Sequence, residues 1–540
     1  MQAVASELRI KYIGRVAKLD YCLFRKPKAH GREAGRVLSE AQKRDFLNRH
    51  GIKDFRADVP HQIDYYSTPN PDNAGFKKQW YLHNSVPGDG DLRVKYLWEK
   101  GITGANITVA VVDDGVNYLH KDLEAKFSNE SSYNLATHGI WPYPSDNTNT
   151  HGTNCAGIVA AKKDGICGNG VAFDARLAGI KLPMKGLTSS QEAFALNFRC
   201  GINDIFSCSW GPKLRIDQLF SLPAILHSAL ATCTEKGRMG KGSIYVFASG
   251  NKGRATDNCA FSGYLNSIYT ITVGAVNRFN EHIDYSEGCS NLLVTAYASP
   301  YGQNDIQTTA FRNSDCEPRF SGTSASAPMI SGMVALMLSS RPDLTWRDVQ
   351  HMLLLSARRV DVKHPSWKPT YAGRHFSNLY GYGVVDGEKI SKLLQDYTLM
   401  PGQIKYQSAP SVKNSQLQIT RSNAEDGFMD TIEVTPAMLN NKRMILEHVV
   451  VTLNLKYPSR SLLTIKLISP NNIVTDLITA RDQDYSPDGF SDFPVMTLAH
   501  WGEPAAGKWK IQVFMRYTRV RFVGNFTSWQ LDFYGHATST

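Results

Sequence analysis

Three side chains of this 540-residue sequence could together carry out nucleophilic catalysis: the carboxylate of Asp113, the imidazole of His151 and the hydroxyl of Ser324. A serine hydroxyl is a weak nucleophile until a neighbouring base accepts its proton, and that base needs a third group to orient it. His151 opens a predicted helix start of small residues, 151–157, which permits other backbone to approach closely. If the fold brings the three side chains together, these residue types predict acyl transfer.

Each of the three residues also has a structural alternative when it is taken alone. An acid such as Asp113 more often forms an Asx turn or caps a helix, and His151 could be a hydrogen-bonded structural histidine. Ser324 precedes the apolar run Ala327–Leu338, so it is predicted at a helix N-terminus, where unpaired amides favour negative charge. A Ser/Thr helix cap explains that serine alone. It does not explain the acid and the histidine upstream, which favours the catalytic interpretation.

The elements that would position these residues are strands alternating with helices. The apolar runs Ile107–Val112 and Ser243–Ala248 are typical of buried strands, and small-residue-rich stretches between such runs are typical of helices. This alternation indicates a parallel sheet covered by helices. Ligands of such sheets bind beyond the carboxyl ends of the strands, which is where Asp113 is placed.

A second, all-β part is predicted after about Met400, where short β-rich runs alternate with turns. The predicted strands include Val449–Leu455, Leu462–Ile468 and Trp509–Phe514. The sequence thus predicts three regions. Residues 1–58 form a basic leading segment, residues 59–398 an α/β domain and residues 399–540 an all-β domain.

Composition excludes several other classes of protein. With 42% hydrophobic and 20% charged residues, the chain is globular. Its longest apolar run is shorter than the roughly 20 residues that a membrane-spanning helix needs, so no transmembrane anchor is predicted. The net charge of +11 is concentrated in residues 1–60 and forms no aromatic-interleaved stripe, so nucleic acid is not a predicted partner.

The nine cysteines contain no Cys-x-x-Cys pair, which argues against a zinc ribbon or a thioredoxin motif. The first residues also lack the charged-then-apolar pattern of a signal peptide. We therefore expect either that export does not use that route or that the beginning of the natural chain is missing.

The three catalytic candidates lie in blocks that together resemble a known family. Asp113-x-Gly115, His151-Gly152-Thr153 and Gly322-Thr323-Ser324-x-Ser326-Ala327-Pro328, in that order, resemble the signature blocks of subtilases. Matches at residues 209–212, 266–270, 285–287, 344–348, 381–383 and 484–490 narrow the resemblance to the kexin and furin-like proprotein convertases.

The resemblance implies a subtilisin-like three-layer α/β/α domain with a parallel sheet, followed by a jelly-roll-like β-sandwich, the P domain. It implies a serine endopeptidase in which Ser324 attacks the scissile carbonyl, His151 accepts its proton and Asp113 orients the imidazolium. Asn251, with the backbone N–H of Ser324, would stabilise the oxyanion.

The resemblance also implies substrate-binding residues, two calcium sites and two disulfides. The backbone of Ser209, Trp210, Gly211 and Pro212 would pair with the substrate as an extra strand, and Asp114, Glu192 and Asp217 would serve neighbouring subsites. Calcium would bind at one site with Asp122 and Asp164 and at a second with Asp257 and Glu287. The implied disulfides, Cys167 with Cys316 and Cys259 with Cys289, favour an oxidising compartment, either the Golgi and secretory vesicles or the extracellular space.

Two positions depart from the family pattern in the pocket that selects the residue before the cut. Leu214 and Ser262 stand where the family has carboxylates, and a cation is costly to bury without such a partner. The first hypothesis is cleavage of secretory precursors after basic residues, with residues 1–58 acting as the chain's own propeptide. The alternatives are a subtilase with non-basic specificity and a catalytically silent binding or chaperone-like homologue.

Overall fold

The computed structural model describes residues 11–15, 22–25, 75–183, 185–212, 215–300, 306–418, 427–515 and 523–538. The chain separates into two compact units, Met1–Tyr65 and Tyr66–Thr540. In the first unit, strands β1 (Lys11–Arg15) and β2 (Cys22–Arg25) pair antiparallel. The rest of the predicted segment 1–58 lies outside the described residues.

The second unit begins its α/β part with a seven-stranded parallel sheet. The strands, in chain order, are β3 (Thr108–Asp113), β4 (Tyr133–Asn134), β5 (Arg176–Lys181), β6 (Ile205–Cys208), β7 (Ile244–Ala248), β8 (Thr270–Val276) and β9 (Leu292–Tyr297). Their order across the sheet is β4-β5-β3-β6-β7-β8-β9. The chain leaves β3 toward one edge and later returns to its other side, so the carboxyl end of β3 is a topological switch point.

Seven α-helices are described in this part. They are α1 (Lys95–Trp98), α2 (His151–Ala160), α3 (Ser189–Asn197), α4 (Ala224–Gly240), α5 (Thr323–Ser340), α6 (Trp346–Ser356) and α7 (Gly387–Asp396). Helix α5 packs on the sheet beside α2, and α3 packs against α4. No helix in the described ranges is long and apolar enough to cross a membrane.

Strand β3 shows why the sheet needs helices on both faces. All six of its residues are buried. Val109 and Val111 belong to the core that includes α2 and α5, whereas Ala110 and Val112 belong to the core that includes α3 and α4. A strand buried on both faces is a continuous apolar run rather than an alternating one, and this confirms the predicted α/β class.

Two short antiparallel pairs complete the α/β part. Strand β10 (Ile306–Thr309) pairs with β11 (Cys316–Phe320), and β12 (Lys368–Pro369) pairs with β13 (His375–Phe376).

The β part consists of two antiparallel sheets. The first contains β14 (Gln403–Gln407), β15 (Ser411–Gln418), β17 (Arg443–Lys456), β20 (Phe490–Thr497) and β22 (Val523–Thr538). The second contains β16 (Phe428–Val434), β18 (Leu463–Ile468), β19 (Val474–Ile478) and β21 (Gly507–Met515). Buried Trp509 and Trp529 come from different sheets and lie in one core, so the predicted all-β fold is confirmed.

Candidate active site

The carboxyl end of β3 and the N-terminus of α2 bring an acid and an imidazole together. Nδ1 of His151 lies 2.9 Å from both Asp113 carboxylate oxygens. The Asp113 side chain is 6% exposed and that of His151 is 35% exposed, so the imidazole faces solvent while its partner does not. Partial burial opposes the imidazolium, but the Asp113 carboxylate outweighs it and the pKa of His151 is raised well above its ordinary value.

Asp114 lies beside this pair but makes different contacts. Its carboxylate accepts hydrogen bonds from the backbone N–H of His151 and of Gly152, at 3.2 and 2.8 Å. It therefore caps α2, the role that was weighed above for Asp113. Burial and the neighbouring Asp113 charge raise the pKa of Asp114 to about 6.

Ser324 is the second residue of α5, and the residue before the helix, Gly322, has a φ of +83°, a conformation that glycine adopts readily. The serine hydroxyl donates to the carbonyl oxygen of Ser209, 3.3 Å away. A hydroxyl rotates freely about its Cα–Cβ bond, and catalytic hydrogen bonds often form only when substrate binds.

Cys155 joins the histidine to the serine. Its Sγ lies 4.0 Å from Nδ1 of His151 and 3.6 Å from the carbonyl oxygen of Ser324. One buried side chain thus contacts both the imidazole of His151 and the backbone of Ser324, so the start of α5 lies close to the Asp113–His151 pair. Burial raises the pKa of the Cys155 thiol, which suits a packing group rather than a nucleophile.

Asn251 follows β7 and is oriented by Thr323. Its Oδ1 accepts from the backbone N–H and from the hydroxyl of Thr323, at 2.9 and 3.0 Å. These contacts occupy the carbonyl oxygen of the amide, and Nδ2 is directed toward Gly322, two residues before Ser324. Asn251 is therefore held with its donor end available beside the serine.

A cavity of about 250 Å³ opens next to Ser324 and Asn251. One wall is the segment Ser209–Pro212, where a side chain on Gly211 would meet no atom within 4 Å. The Trp210 indole N–H donates to the Val112 carbonyl oxygen at 2.8 Å and fixes this wall to β3. The other walls include Phe247, Phe261, Ser262, Tyr264 and Leu265.

The charged residues that line this cavity carry both signs: Asp257, Glu287, Lys252, Arg215 and Arg481. Arg481 belongs to the β part, between β19 and β20, and sequence reasoning did not single it out. No local pattern marks it, since its partner Asp257 is 224 positions away along the chain. Leu214 lies outside the described residues.

The two other acids predicted at substrate subsites are bonded within the protein. The Tyr264 hydroxyl donates to Glu192, and the guanidinium of Arg215 donates to the Asp217 carboxylate. Burial of Glu192 raises its pKa, and Arg215 lowers that of Asp217.

The first predicted calcium site has oxygen donors that fit a hard cation. Asp122 is 1% exposed, and its two carboxylate oxygens accept from the backbone N–H of Ile166 and of Cys167, at 2.9 and 2.8 Å. Each oxygen keeps a further lone pair. Asp164 lies on the same loop, which closes over Asp122 so tightly that a Cβ at Gly165 would meet its carboxylate.

The second predicted calcium site does not fit the ion. Asp257 already binds a guanidinium nitrogen of Arg481 at 3.0 Å, and the Lys252 ammonium lies 3.9 Å from its other oxygen. Glu287 accepts from the Lys252 backbone N–H, and burial together with Asp257 raises its pKa to about 8. Two side-chain cations thus stand where calcium was predicted.

Three disulfides are described, and all lie in the α/β part. Cys167–Cys316 and Cys259–Cys289 are the two pairs that the resemblance implies. Cys200–Cys233, which joins the segment after α3 to α4, was not predicted. With nine cysteines and no spacing motif, only proximity in the fold could have identified it.

Comparison with known proteins agrees with this fold and site. The model of the subtilase family matches residues 104–383, and that of the proprotein convertase P-domain matches residues 446–533. The chain belongs to the subtilase family.

Kexin from Saccharomyces cerevisiae is 37% identical over 86% of this chain and 56% of its own length. Mouse proprotein convertase subtilisin/kexin type 7 is 34% identical over 99% of this chain and 70% of its own length. The chain spans about half to two thirds of the length of the curated fungal relatives it matches. A serine protease of Aeromonas sobria shares the fold, with a TM-score of 0.74 at 23% identity over 90% of this chain and 99% of its own.

Proposed function

We propose that this chain is a serine endopeptidase that cleaves precursor polypeptides through an acyl-enzyme intermediate. The observation that carries the proposal is the Asp113–His151 hydrogen bond, set beside Ser324 at the switch point of a parallel sheet. In the proposed reaction His151 takes the Ser324 proton, and Ser324 attacks the carbonyl carbon. His151 then returns the proton to the leaving amine, and water repeats the sequence to release the acyl group.

The proposed oxyanion site uses Asn251 Nδ2 and the backbone N–H of Ser324. Both groups are preset, so they stabilise charge in the transition state without reorganising. The segment Ser209–Pro212 would hold the substrate backbone as an added strand. For the side chain before the cut, Ser262 lines the cavity at a position where the family has a carboxylate, which supports the non-basic alternative.

The test is the Ser324→Ala variant, measured on a denatured protein substrate and with a serine-directed fluorophosphonate. We expect loss of turnover by a factor on the order of 10⁶, a magnitude borrowed from subtilisin, and loss of labelling. Substantial activity in the variant would overturn the proposal. A wild-type protein that neither cleaves nor labels would favour the silent, chaperone-like alternative.

Calcium is part of the proposal at the Asp122 loop only. When bound, the ion would supply a fixed positive charge that holds residues 162–168 against Asp122 and Asp164. We expect EDTA to lower the melting temperature of the wild type but not that of Asp122→Asn, with calcium restoring the wild type. Equal effects of EDTA on both proteins would remove calcium from this loop.

We further propose a secretory or extracellular location and an autoinhibitory role for the segment 1–58. The three disulfides support an oxidising compartment. Adding a peptide of residues 1–58 to the enzyme should give competitive inhibition, and a peptide of the same composition in scrambled order is the control.

A further inference from the structure

The cavity beside Ser324 contains an arginine that belongs to the other part of the fold. Arg481 is 2% exposed although it lines the cavity wall, and its side chain reaches across from the loop between β19 and β20. Its Nη1 donates to Asp257 at 3.0 Å, and its Nε donates to Asp484 at 3.2 Å. Nη2 donates to Asp484 and to the carbonyl oxygen of Gln218.

An aromatic face completes the arginine's surroundings. The guanidinium carbon lies 3.8 Å from the centroid of the Phe261 ring, a cation–π contact. Such a set of ion pairs, hydrogen bonds and ring contact compensates the desolvation of a buried charge. Arg481 is therefore a fixed part of the cavity and not a surface side chain that happens to fold inward.

The two acids that line the described part of the cavity, Asp257 and Glu287, already bond to groups of the protein. Asp257 pairs with Arg481, and Asp484 is shared between Arg481 and Arg460. Arg215, which also lines the cavity, pairs with Asp217, which does not. Glu287 accepts the backbone N–H of Lys252, and the Lys252 ammonium lies 3.9 Å from Asp257. A lysine or arginine side chain entering here would meet positive charge already in place.

We infer that Arg481 is the resident cation of this cavity and makes it select an uncharged side chain immediately before the cut. The inference rests on the proposed endopeptidase activity and adds the determinant of its specificity. The apolar and aromatic walls, formed by Trp210, Phe247, Phe261, Tyr264 and Leu265, suit an unbranched apolar or neutral polar side chain.

The experiment compares peptides that differ only in the residue before the cut, lysine or its uncharged near-isostere norleucine. We expect the wild-type kcat/KM to favour norleucine by about tenfold or more, because like charges placed together cost several kcal/mol. In Arg481→Gln, Asp257 loses its nearer cation and keeps only Lys252 at 3.9 Å, so we expect the ratio to move toward lysine by about tenfold or more. Arg481→Lys should keep the wild-type preference.

Arg460→Gln is the matched control. Arg460 is a buried arginine of the same part, 4% exposed, and shares Asp484, but it has no bond to Asp257 and does not line the cavity. This variant should lose stability while its norleucine-to-lysine ratio stays at the wild-type value.

The wild-type ratio tests the inference even if Arg481→Gln does not fold. Preference of the wild type for lysine or arginine would overturn the inference and leave the proposed function standing, as would an unmoved ratio in a folded Arg481→Gln. Failure of the wild type to cleave any peptide or to react with fluorophosphonate would overturn both.

Discussion

At the scale of single residues, the adjacent acids Asp113 and Asp114 have different roles in the site. Asp113 hydrogen-bonds the His151 ring, whereas Asp114 caps the helix on which His151 lies. One carboxylate therefore sets the charge of the imidazole and the other sets the position of its backbone.

The pH dependence of activity should show the effect of Asp113 on the pKa of His151. His151 acts as a base only when neutral, so kcat/KM should fall as pH drops below its pKa, which Asp113 raises above the ordinary value of 6.5. In Asp113→Asn we expect this acid limb to move to lower pH and the maximum to fall by a factor on the order of 10⁴, the value known for the equivalent trypsin variant. The check is a pH profile of kcat/KM for both proteins.

The free energy of unfolding should change with pH in the opposite direction to kcat/KM, because protonated His151 is inactive as a base but pairs with Asp113. Because the folded pKa of His151 is raised, its ion pair with Asp113 contributes below about pH 6.5 and is lost as pH rises through the folded pKa. In the kcat/KM profile, an acid limb that stays at the same pH in Asp113→Asn would contradict the assignment of Asp113 as the partner of His151.

Asn251→Ala should lower kcat by a factor of about 10² to 10³ with little change in KM, because the lost donor acts on charge that exists only in the transition state. That magnitude is borrowed from the equivalent subtilisin asparagine. Thr323→Val is the comparison: it removes one hydrogen bond to Oδ1 and keeps the backbone one. A larger loss in Thr323→Val than in Asn251→Ala would contradict the role of Nδ2. Single-turnover kinetics separate an effect on the chemical step from an effect on substrate binding.

At the scale of elements, the approach of α2 to β3 depends on a glycine. A Cβ at Gly152 would lie 2.3 Å from the Gly115 carbonyl oxygen and 2.8 Å from Cβ of Asp113. No flexible side chain end is available to yield at those contacts. The helix that carries His151 can therefore approach the strand that carries Asp113 only with glycine at this position.

Gly152→Ala should destabilise the fold by about 1–3 kcal/mol through overpacking. It should also lower kcat by about 10²-fold, since a displacement near 1 Å is enough to misplace catalytic groups. Gly201→Ala is the control because a Cβ there meets no atom within 4 Å. Chemical denaturation and steady-state kinetics of both variants test the point, and wild-type behaviour of Gly152→Ala would refute it.

The elements that sequence predicted best are those with a local apolar signal. Predicted strands at Ile107–Val112 and Ser243–Ala248 correspond to Thr108–Asp113 and Ile244–Ala248, a shift of one residue at most at each end. The bonds of Asp114 to α2, the Cys200–Cys233 bridge and the reach of Arg481 were not predicted. Each of these joins distant positions, and no periodicity within one segment encodes such a pairing.

At the scale of the whole molecule, the α/β part and the β part share a buried ion pair. Arg347 on α6 donates through Nε and Nη2 to Glu447 on β17, and the two side chains are 7% and 0% exposed. His536 on β22 adds a contact at 2.9 Å. Burial opposes the Glu447 charge, but the bonds from Arg347 and His536 lower its pKa to about 2.

A depressed pKa makes this contact sensitive to acid. Glu447 contributes stability above its unfolded pKa near 4.5, and the contribution of about 3 kcal/mol should disappear as pH falls from there toward 2. Unfolding free energies across this range should therefore converge for the wild type and Glu447→Gln. A constant difference between them at all pH values would exclude the ion pair as its source.

Replacing both partners separates the charge from the packing. Glu447→Gln leaves Arg347 buried without a counterion and should cost about 3–5 kcal/mol at neutral pH. The double variant Arg347→Met with Glu447→Leu removes both charges and should recover most of that loss. Denaturant titration at neutral pH measures both.

Because of where the disulfides lie, a reducing agent would affect the α/β part and the β part differently. All three bridges lie between Cys167 and Cys316, and residues 399–540 contain no cysteine. A thiol reductant would loosen the half that bears Ser324 while the half that bears Arg481 keeps its sandwich intact. Reduction of Cys259–Cys289 would reach Arg481 through its partners Asp257 and Phe261, which lie beside that bridge, although Arg481 itself belongs to the part without cysteines.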